Sequence, residues 1–261
     1  MQALLIAATG MMAQELNVEV ISNNIANMRT TGFKRQRAEF QDLLYQNIRR
    51  AGSATSDSGT ISPSGIQIGS GVKTGATYRV MSQGSVLQTE KELDVAIRGE
   101  GYFRISLPDG RTAYTRDGSF EIDQNGTLVN IDGYTVEPAI TIPQNARSIS
   151  IDGSGQVEVM VDDDTTPSQL GQIQLARFVN RAGLEAIGDN LFVETGASGS
   201  EQVGNPGADG YGNLLQQHLE QANVNAVSEI SDLIAAQRAY EMNARVIRAA
   251  DEMMSSTANI G

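Results

Sequence analysis

The sequence contains few side chains that could do chemistry, and none has the neighbours that catalysis needs. The single histidine, His218, lies in a polar Gln-Gln-His-Leu setting without a recognisable serine or aspartate partner, so we interpret it as a solvated residue. Asp94 and Glu100 flank an apolar strand, but nothing in their spacing predicts paired carboxylates for acid–base catalysis. Cysteine is absent, which removes thiolate chemistry. We therefore predict no catalytic residue and a protein that is not an enzyme.

Two other stretches imitate binding sites. Asp162-Asp163-Asp164 carries the oxygen ligands that a hard cation prefers, but it lacks the spacing of an EF-hand loop, so we interpret it as a charged hairpin tip. Gly69-Ser70-Gly71 with Gly75 resembles a phosphate loop, but the spacing differs from GxGxxG and no helix is predicted to follow. We predict neither a metal nor a nucleotide nor any other cofactor.

The charge of the chain excludes nucleic acid as a partner. Its 261 residues carry a net charge of -12, and such an acidic surface repels phosphate backbones. We interpret a local basic cluster as a solvated face or an ion-pair patch between subunits: Lys34, Arg35, Arg37, Arg49 and Arg50. The apolar run from Ala3 to Ala8 is short and follows no basic residue, so we predict neither a Sec signal nor a transmembrane segment.

The C-terminal stretch from Asn223 to Met254 predicts the helix around which the chain is organised. Alanine is frequent there, and neither glycine nor proline interrupts it. A heptad seam, the period of helices that wrap around other helices, is formed by Ile230, Leu233, Gln237, Tyr240, Ala244, Ile247, Asp251 and Met254. Gln237 and Asp251 are polar breaks in this seam, and polar breaks can fix the register and the number of partners.

The N-terminal stretch predicts a partner for that helix. It has a broad apolar face with four residues spaced by seven, namely Leu4, Met11, Val18 and Ile25. The helix is predicted to end near Asn27, before the turn residues Thr30-Thr31-Gly32. We therefore expect the two terminal helices to pair as a coiled coil. The alternative is a helical pair that packs on an ordinary globular domain.

Between the helices the hydrophobic period changes to two. Turn sequences such as Pro108-Asp109-Gly110 and Asp152-Gly153-Ser154-Gly155 separate the alternating runs and predict β-hairpins. The stretches 50–71 and 196–212 are rich in Gly and Ser and predict extended linkers. The expected fold class is α+β. Residues 1–30 and 215–261 would form a terminal coiled-coil domain, 31–90 an extended intermediate region, and 91–214 an inserted all-β domain with its return linker.

Several motifs resemble those of the flagellar rod and hook family of axial proteins. The N-terminal motif comprises Asn23, Asn24, Ala26, Asn27, Gly32, Phe33 and Lys34. The central motif comprises Ser82-Gln83-Gly84, Asp94, Gly99, Gly101, Phe103 and the run from Tyr114 to Phe120. The C-terminal motif comprises Asn223-Val224-Asn225, the run from Gln237 to Glu241, and Asn243. The resemblance therefore extends from one end of the chain to the other.

Within the family, the chain is most similar to the distal-rod branch. Its length fits, as do the runs 40–46 and 63–69, and the stretch from Asn47 to Ser62 resembles the segment that distinguishes this branch from the hook proteins. The resemblance implies a structural subunit of a hollow helical tube, the drive shaft that transmits motor torque to the hook. The terminal helices would line the tube, with an assembly interface at Leu4, Met11, Val18, Ile25, Ile230, Leu233, Gln237, Tyr240, Ile247 and Met254.

The same resemblance implies a location and a set of partners. The expected location is the basal body, where the rod crosses the periplasm, after export of the unfolded chain by the flagellar type III pathway. Expected partners are further copies of the chain in a helical polymer, other rod proteins, hook-side axial proteins, and the peptidoglycan and outer-membrane ring proteins. Two alternatives remain open: a proximal rod or hook subunit of the same family, and a secreted β-rich cell-wall enzyme.

Overall fold

Two long helices lie at the two ends of the chain, and strands form most of the structure between them. The computed structural model describes residues 2–52, 63–161 and 166–258. Helix α1 is Gln2–Ala26, and helix α2 is Ala226–Ala258. The predicted α+β class is confirmed, and α1 ends one residue before the expected position.

Twenty strands lie between the helices, counted over the described residues. They are β1 (Gln36–Asp42), β2 (Tyr45–Arg49), β3 (Ile66–Gly69), β4 (Val72–Arg79), β5 (Val86–Gln88), β6 (Val95–Arg98), β7 (Tyr102–Ser106), β8 (Thr112–Thr115), β9 (Glu121–Ile122), β10 (Leu128–Val129), β11 (Thr135–Glu137), β12 (Ala146–Ile151), β13 (Gln156–Val161), β14 (Ser168–Gln172), β15 (Leu175–Arg177), β16 (Glu185–Gly188), β17 (Leu191–Val193), β18 (Gln202–Gly204), β19 (Asn213–Gln216) and β20 (His218–Glu220). A 3₁₀ turn, Arg181–Gly183, precedes β16.

The chain forms two compact units. The helical unit combines Met1–Ile25, Gln36–Tyr78 and Asn225–Gly261. The β unit combines Ala26–Arg35 with Arg79–Val224. Each unit is therefore assembled from segments that are distant in the sequence.

In the helical unit, α1 and α2 touch at two places. The side-chain amide nitrogen of Asn24 donates a hydrogen bond of 3.1 Å to the Glu229 carboxylate. Gly10 lies so close to Asn243 that a Cβ on Gly10 would be 2.8 Å from the Asn243 side-chain nitrogen. The two contacts are fourteen residues apart on each helix and run in opposite directions, so the helices lie antiparallel over this length. Strand β1 pairs with β4, and β2 pairs with β3.

The β unit is organised by a nine-stranded sheet. Its main path has the order β16-β17-β8-β7-β11-β10-β9, and β15 pairs with both β7 and β18. The predicted hairpin turns are confirmed: β7 and β8 pair across Pro108-Asp109-Gly110, and β12 and β13 pair across the turn that begins at Asp152. Fully buried side chains fill its interior, including Val95, Ile97, Phe103, Ile105, Phe120 and Leu175. Polar turns and an apolar interior follow from the period-two pattern.

The two predicted linkers contain short strands. The stretch 50–71 includes β3, and the stretch 196–212 includes β18, which pairs with β15. Glycine-rich composition underestimates such strands because the backbone hydrogen bonds come from a partner strand rather than from local preference. Residues 53–62, most of the proposed rod-specific stretch from Asn47 to Ser62, lie outside the described residues, as does Asp162-Asp163-Asp164.

Helix α1 requires one correction to the sequence interpretation. Among the described residues it is long and apolar enough, by length and composition alone, to cross a membrane. The same criterion is met by core helices of soluble proteins and by signal sequences near an N-terminus. In this chain α1 contacts α2 at Asn24 and Gly10, and 22% of its apolar window is buried.

Candidate functional site

Lys34 lies at the centre of a buried polar cluster in the β unit. Its ammonium group donates to Glu220 Oε1 at 2.5 Å and to the Ser82 carbonyl oxygen at 2.9 Å. The side chain of Lys34 is 1% exposed and that of Glu220 is fully buried. The interpretation of the basic cluster as solvated, or as pairing between subunits, is therefore wrong for Lys34, which pairs inside its own chain.

Glu220 joins segments from the whole length of the chain. Its Oε1 also accepts a hydrogen bond from the Gly84 backbone nitrogen at 2.9 Å, and its Oε2 lies 3.5 Å from Arg116 Nε. Its carbonyl oxygen accepts from the Gly32 backbone nitrogen at 2.8 Å. One glutamate, the last residue of β20, thus binds the N-terminal motif and both parts of the central motif. We call these residues the Glu220 clasp: Lys34, Ser82, Gly84, Arg116, Glu220 and Asn223.

Asn223 adds side-chain hydrogen bonds to the clasp, three residues after Glu220. Its side-chain oxygen accepts from the Arg35 backbone nitrogen at 2.8 Å, and its side-chain nitrogen donates to the Val80 carbonyl at 2.7 Å and the Ser82 carbonyl at 3.0 Å. An asparagine can do this because its amide carries both a donor and an acceptor. The motif residues Lys34 and Asn223 therefore both donate to the Ser82 carbonyl oxygen.

The clasp buries two cations against one carboxylate. Burial lowers the pKa of Lys34, and the nearby Glu220 only partly opposes that change, while Arg116 adds to it. Arg116 also donates to the Gly99 carbonyl at 2.6 Å and lies over the Tyr102 ring. Removing one partner from such a group leaves an uncompensated buried charge.

At two motif positions the backbone conformation requires glycine. Gly32 has a φ of +69°, and a Cβ there would lie 2.7 Å from the Asp117 backbone nitrogen. Gly101 has a φ of +139°, and its Cβ would press on Leu175. Both positions need glycine because other residues are strained at these angles. The motif residue Gly99 likewise has a positive φ, and Phe103 is fully buried against Phe120.

The candidate chemical residues do not form a reactive site. The backbone carbonyl oxygen of Asp94 accepts a hydrogen bond from the His218 backbone nitrogen, and the Glu100 carboxylate pairs with Arg181. His218 is half-buried in β20 rather than solvated as predicted, and its Nδ1 lies 2.6 Å from the Gln216 carbonyl oxygen. In the described part of the chain, no group of three or more His, Asp or Glu residues could hold a metal.

The glycine loop at Gly69 to Gly71 is not a phosphate cradle. Strand β4 follows it, not a helix, so no helix N-terminus is available for an anion. Gly71 instead lies directly against Thr9 of α1, whose hydroxyl accepts a hydrogen bond from Val72. The loop therefore packs inside the helical unit.

Asn24 is the buried polar residue of the helical unit. Its side-chain nitrogen donates to Glu229 Oε2 and to the Gln36 carbonyl oxygen at 2.9 Å, and its side-chain oxygen accepts from the Gln36 backbone nitrogen at 2.8 Å. Asn24 is 1% exposed and Glu229 4% exposed. The neighbouring motif residues Asn23 and Ala26 are exposed, and Asn27 accepts a hydrogen bond from Thr30. Asn225 begins α2 as its N-cap, because its side-chain oxygen accepts from the Val227 backbone nitrogen.

The predicted assembly residues are divided between half-buried and exposed positions. Leu4, Met11, Val18, Ile25, Leu233 and Ile247 are half-buried. Ile230, Gln237, Tyr240 and Met254 are exposed. The buried side chains of α2 are Glu229, Ala236 and Ala250, which precede predicted seam positions by one residue.

Three family models match the chain. "Flagella basal body rod protein" matches residues 4–34, "Flagellar hook protein FlgE/F/G D1 domain" matches 96–159, and "Flagellar basal body rod FlgEFG protein C-terminal" matches 215–260. A flagellar basal-body rod protein FlgG of Caulobacter vibrioides is 59% identical over 260 residues, which cover 100% of this chain and 99% of the relative. The chain belongs to the flagellar basal-body rod protein family. A second relative with the same printed name, from Agrobacterium fabrum, is 52% identical over 98% of this chain and 97% of its own length.

Membership of the rod family settles one of the two open alternatives. The chain is a structural component of the flagellar basal body and not an enzyme, so the alternative of a cell-wall enzyme is wrong. A flagellar hook protein of Helicobacter mustelae is 39% identical over 170 residues, but these cover 64% of this chain and 36% of the hook protein. The rod relatives, in contrast, match from end to end.

Sequence reasoning found the rod motifs but missed what joins them. Lys34 and Glu220 are 186 residues apart, and no local pattern marks Glu220 as their common partner. The heptad search found the right helix but chose a face one residue away from the buried one. The signal that identifies the buried face is the run of small or polar residues Glu229, Ala236, Asn243 and Ala250, spaced by seven.

Proposed function

We propose that this chain is the subunit of the distal flagellar rod and that it polymerises into a hollow helical drive shaft. The observation that carries the proposal is the end-to-end similarity to rod proteins at 59% and 52% identity, compared with a partial match to a hook protein. The chain then assembles with other flagellar axial proteins, first of all with further copies of itself. Its contribution to motility is mechanical, since it carries torque from the motor to the hook.

In this proposal, α1 and α2 pair as an antiparallel coiled coil that lines the tube. The support is the spacing of their contacts. Glu229 and Asn243 meet α1 at Asn24 and Gly10, and Ala236 and Ala250 continue the same seven-residue spacing. Small residues at these positions allow the two backbones to approach closely. Gln237 and Asp251, one residue further on, are exposed and would set the register against neighbouring copies.

The exposed apolar residues of the helical unit would form the contacts between copies. On α2 they include Val227, Ile230, Ile234, Tyr240, Met242 and Val246. Burial of one such side chain stabilises by roughly 1.5–3 kcal/mol. Ordering one residue costs about 1–2 kcal/mol of backbone entropy, so a helix with so few buried side chains gains firm order only from several neighbours.

The domain division follows the same logic. The sequence-based division expects a tube core of residues 1–30 and 215–261, an intermediate region of 31–90, and an outward-facing β domain of 91–214 with its return linker. The compact units divide the chain differently, since 26–35 and 215–224 belong to the β unit, so the proposed tube core is restricted to α1 and α2. The stretch from Asn47 to Ser62 would contact neighbouring copies and oppose bending of the tube. The remaining partners would be the hook-side axial proteins and the peptidoglycan and outer-membrane ring proteins. Export would use the flagellar type III pathway.

Electron microscopy of the purified full chain at high concentration tests the polymer directly. We expect straight hollow tubes, because contacts repeated at a fixed rotation generate an open helix. The matched variant lacks residues 50–62, and its tubes should bend more readily than those of the parent chain. Closed rings, or a chain that stays monomeric at all concentrations, would contradict the proposal.

A further inference from the structure

Arg79 is a partly buried cation that has no ionic partner among the residues that the structure describes. Its guanidinium lies 5.6 Å from the centre of the Phe192 ring, and this is the one interaction that its side chain makes among the described residues. Burial lowers the pKa of Arg79, and no neighbouring charge opposes that change. Partly buried guanidinium groups in folded proteins are normally paired with carboxylate or phosphate, because an uncompensated charge is unfavourable away from water.

The guanidinium faces a cavity built from the N-terminal motif and the β16–β17 hairpin. The cavity has a volume of about 190 Å³, and Arg79 lines it together with Gly32, Phe33, Asn190 and Phe192. This volume is below the roughly 300–1,000 Å³ of typical small-molecule sites, so the cavity suits one entering side chain better than a cofactor.

The other charged groups at the cavity do not satisfy Arg79. Lys34 lines the cavity too, but its charge is paired with Glu220. Asp189 is the acidic lining residue, and it is exposed and makes no ion pair with Arg79. The cavity therefore presents one unpaired cation with an aromatic ring behind it.

We propose that this cavity receives a carboxylate side chain, Asp or Glu, from a second copy of the chain during rod assembly. The inference rests on the proposed polymer. Three observations select the occupant: the unpaired guanidinium, a side-chain-sized cavity, and a chain with 31 acidic residues and a net charge of -12, whose copies bring many carboxylates to each interface. A bidentate carboxylate matches the planar donor pattern of arginine.

Critical concentrations for tube formation give the first test. Arg79→Gln should raise the critical concentration roughly tenfold, the effect of losing one charge-assisted hydrogen-bonded contact per interface. Arg98→Gln removes an exposed arginine of the same unit and should change it less than about twofold. Asp189→Asn should lower the critical concentration, because it removes a negative charge from the entrance. The melting temperature of the monomer should not fall in Arg79→Gln. If Arg79 only stabilised the fold through its contact with the Phe192 ring, the substitution would lower that temperature.

Crosslinking identifies the carboxylate. In Arg79→Lys, a carbodiimide joins the new amine to a carboxylate in contact with it and leaves no spacer. We assemble a mixture of isotopically heavy and light copies and expect mixed heavy–light crosslinks from position 79 to one Asp or Glu in tubes, and none in dilute monomer. Tubes without this crosslink, or the same crosslink in monomer, would contradict the proposed contact at Arg79 and leave the proposed polymer standing. A parent chain that forms no tubes would overturn the proposed polymer and the pocket together.

Discussion

The two units differ in where their apolar side chains lie. The β unit buries large side chains such as Phe103, Ile105, Phe120 and Leu175 completely. The buried apolar residues of the helical unit, within the described ranges, are Ala7, Ala13, Val20, Ile21, Ala236 and Ala250. Many of its larger apolar residues are instead exposed, among them Leu5 at 58%, Met12 at 68% and Leu44 at 88%. The β unit buries its large apolar side chains within the chain, whereas the helical unit exposes apolar side chains of the kind found at protein interfaces.

The polar clusters follow the same division. In the β unit, the Glu220 clasp closes the interior with charged groups that are fully buried. In the helical unit, Asn24 near the end of α1 donates to Glu229 near the start of α2, and the other buried residues of α2 are the small residues Ala236 and Ala250. Buried polar groups specify register more than they stabilise. In the proposed polymer, other copies would cover the apolar side chains that the helical unit leaves exposed, whereas the β unit needs no such cover for its interior.

The largest expected effect comes from cutting the chain at the boundary of the β unit. A fragment of residues 26–224 contains the whole β unit together with residues 36–78 of the helical unit, and it should be soluble, monomeric and cooperatively folded, because it retains the buried interior and the clasp. A fragment of residues 32–212 lacks the buried Leu214 and Glu220, and it should be unfolded. Circular dichroism and thermal melts compare the two. Equal stability of both fragments would show that the clasp is dispensable.

A smaller effect is expected from breaking the clasp alone. Glu220→Gln in fragment 26–224 should lower the free energy of unfolding by about 3–5 kcal/mol, since it leaves Lys34 and Arg116 buried without a counter-charge. The control is Glu121→Gln, which breaks the exposed pair with Lys91 and should change it by less than about 1 kcal/mol. Urea titrations measure both. The clasp would lose its role if the two variants behaved alike.

Gly10→Ala tests the pairing of the terminal helices. The added methyl group would displace the end of the Asn243 side chain, and this cost opposes the roughly 0.5–1 kcal/mol that alanine gains over glycine within a helix, so the net change should stay below about 1 kcal/mol. Asn243→Ala removes the opposing side chain, so in the double variant the substitution at position 10 should become more favourable than it is alone. The double-mutant cycle is measured as the stability of assembled tubes to urea. Additive effects of the two substitutions would argue against the antiparallel register described above.

The smallest predicted effect concerns alkaline pH. Burial, and then the negative charge of Glu201, raise the pKa of Tyr114 above its ordinary value of 10.0. A raised folded-state pKa gives stability that is complete below about pH 10 and is lost as pH rises, because the unfolded chain releases this proton first. In fragment 26–224, Tyr114→Phe should therefore flatten the fall in unfolding free energy above pH 10 by up to about 1.4 kcal/mol per pH unit.

How much of this could be predicted depends on the range of the interactions. The hairpins around Pro108-Asp109-Gly110 and the ends of α1 follow from local turn and helix preferences, and the structure confirms them. The strands β3 and β18 were interpreted as linkers because their partners are remote. The clasp was missed for the same reason, since Lys34 meets a glutamate from the other end of the chain. The buried face of α2 was missed because its residues are small or polar, so an apolar heptad search selects the face beside it.

Hydrogen exchange tests the central difference between the two units most directly. The full chain is compared as a dilute monomer and as assembled tubes, with mass spectrometry of peptides from α1, α2 and the β unit. We expect amides of β7, β8 and β15 to be protected in both states, and amides of α1 and α2 to exchange quickly in the monomer and slowly in the tubes. Strong protection of both helices in the dilute monomer would contradict the account, because the helical unit would then be an ordinary core that is complete within one chain.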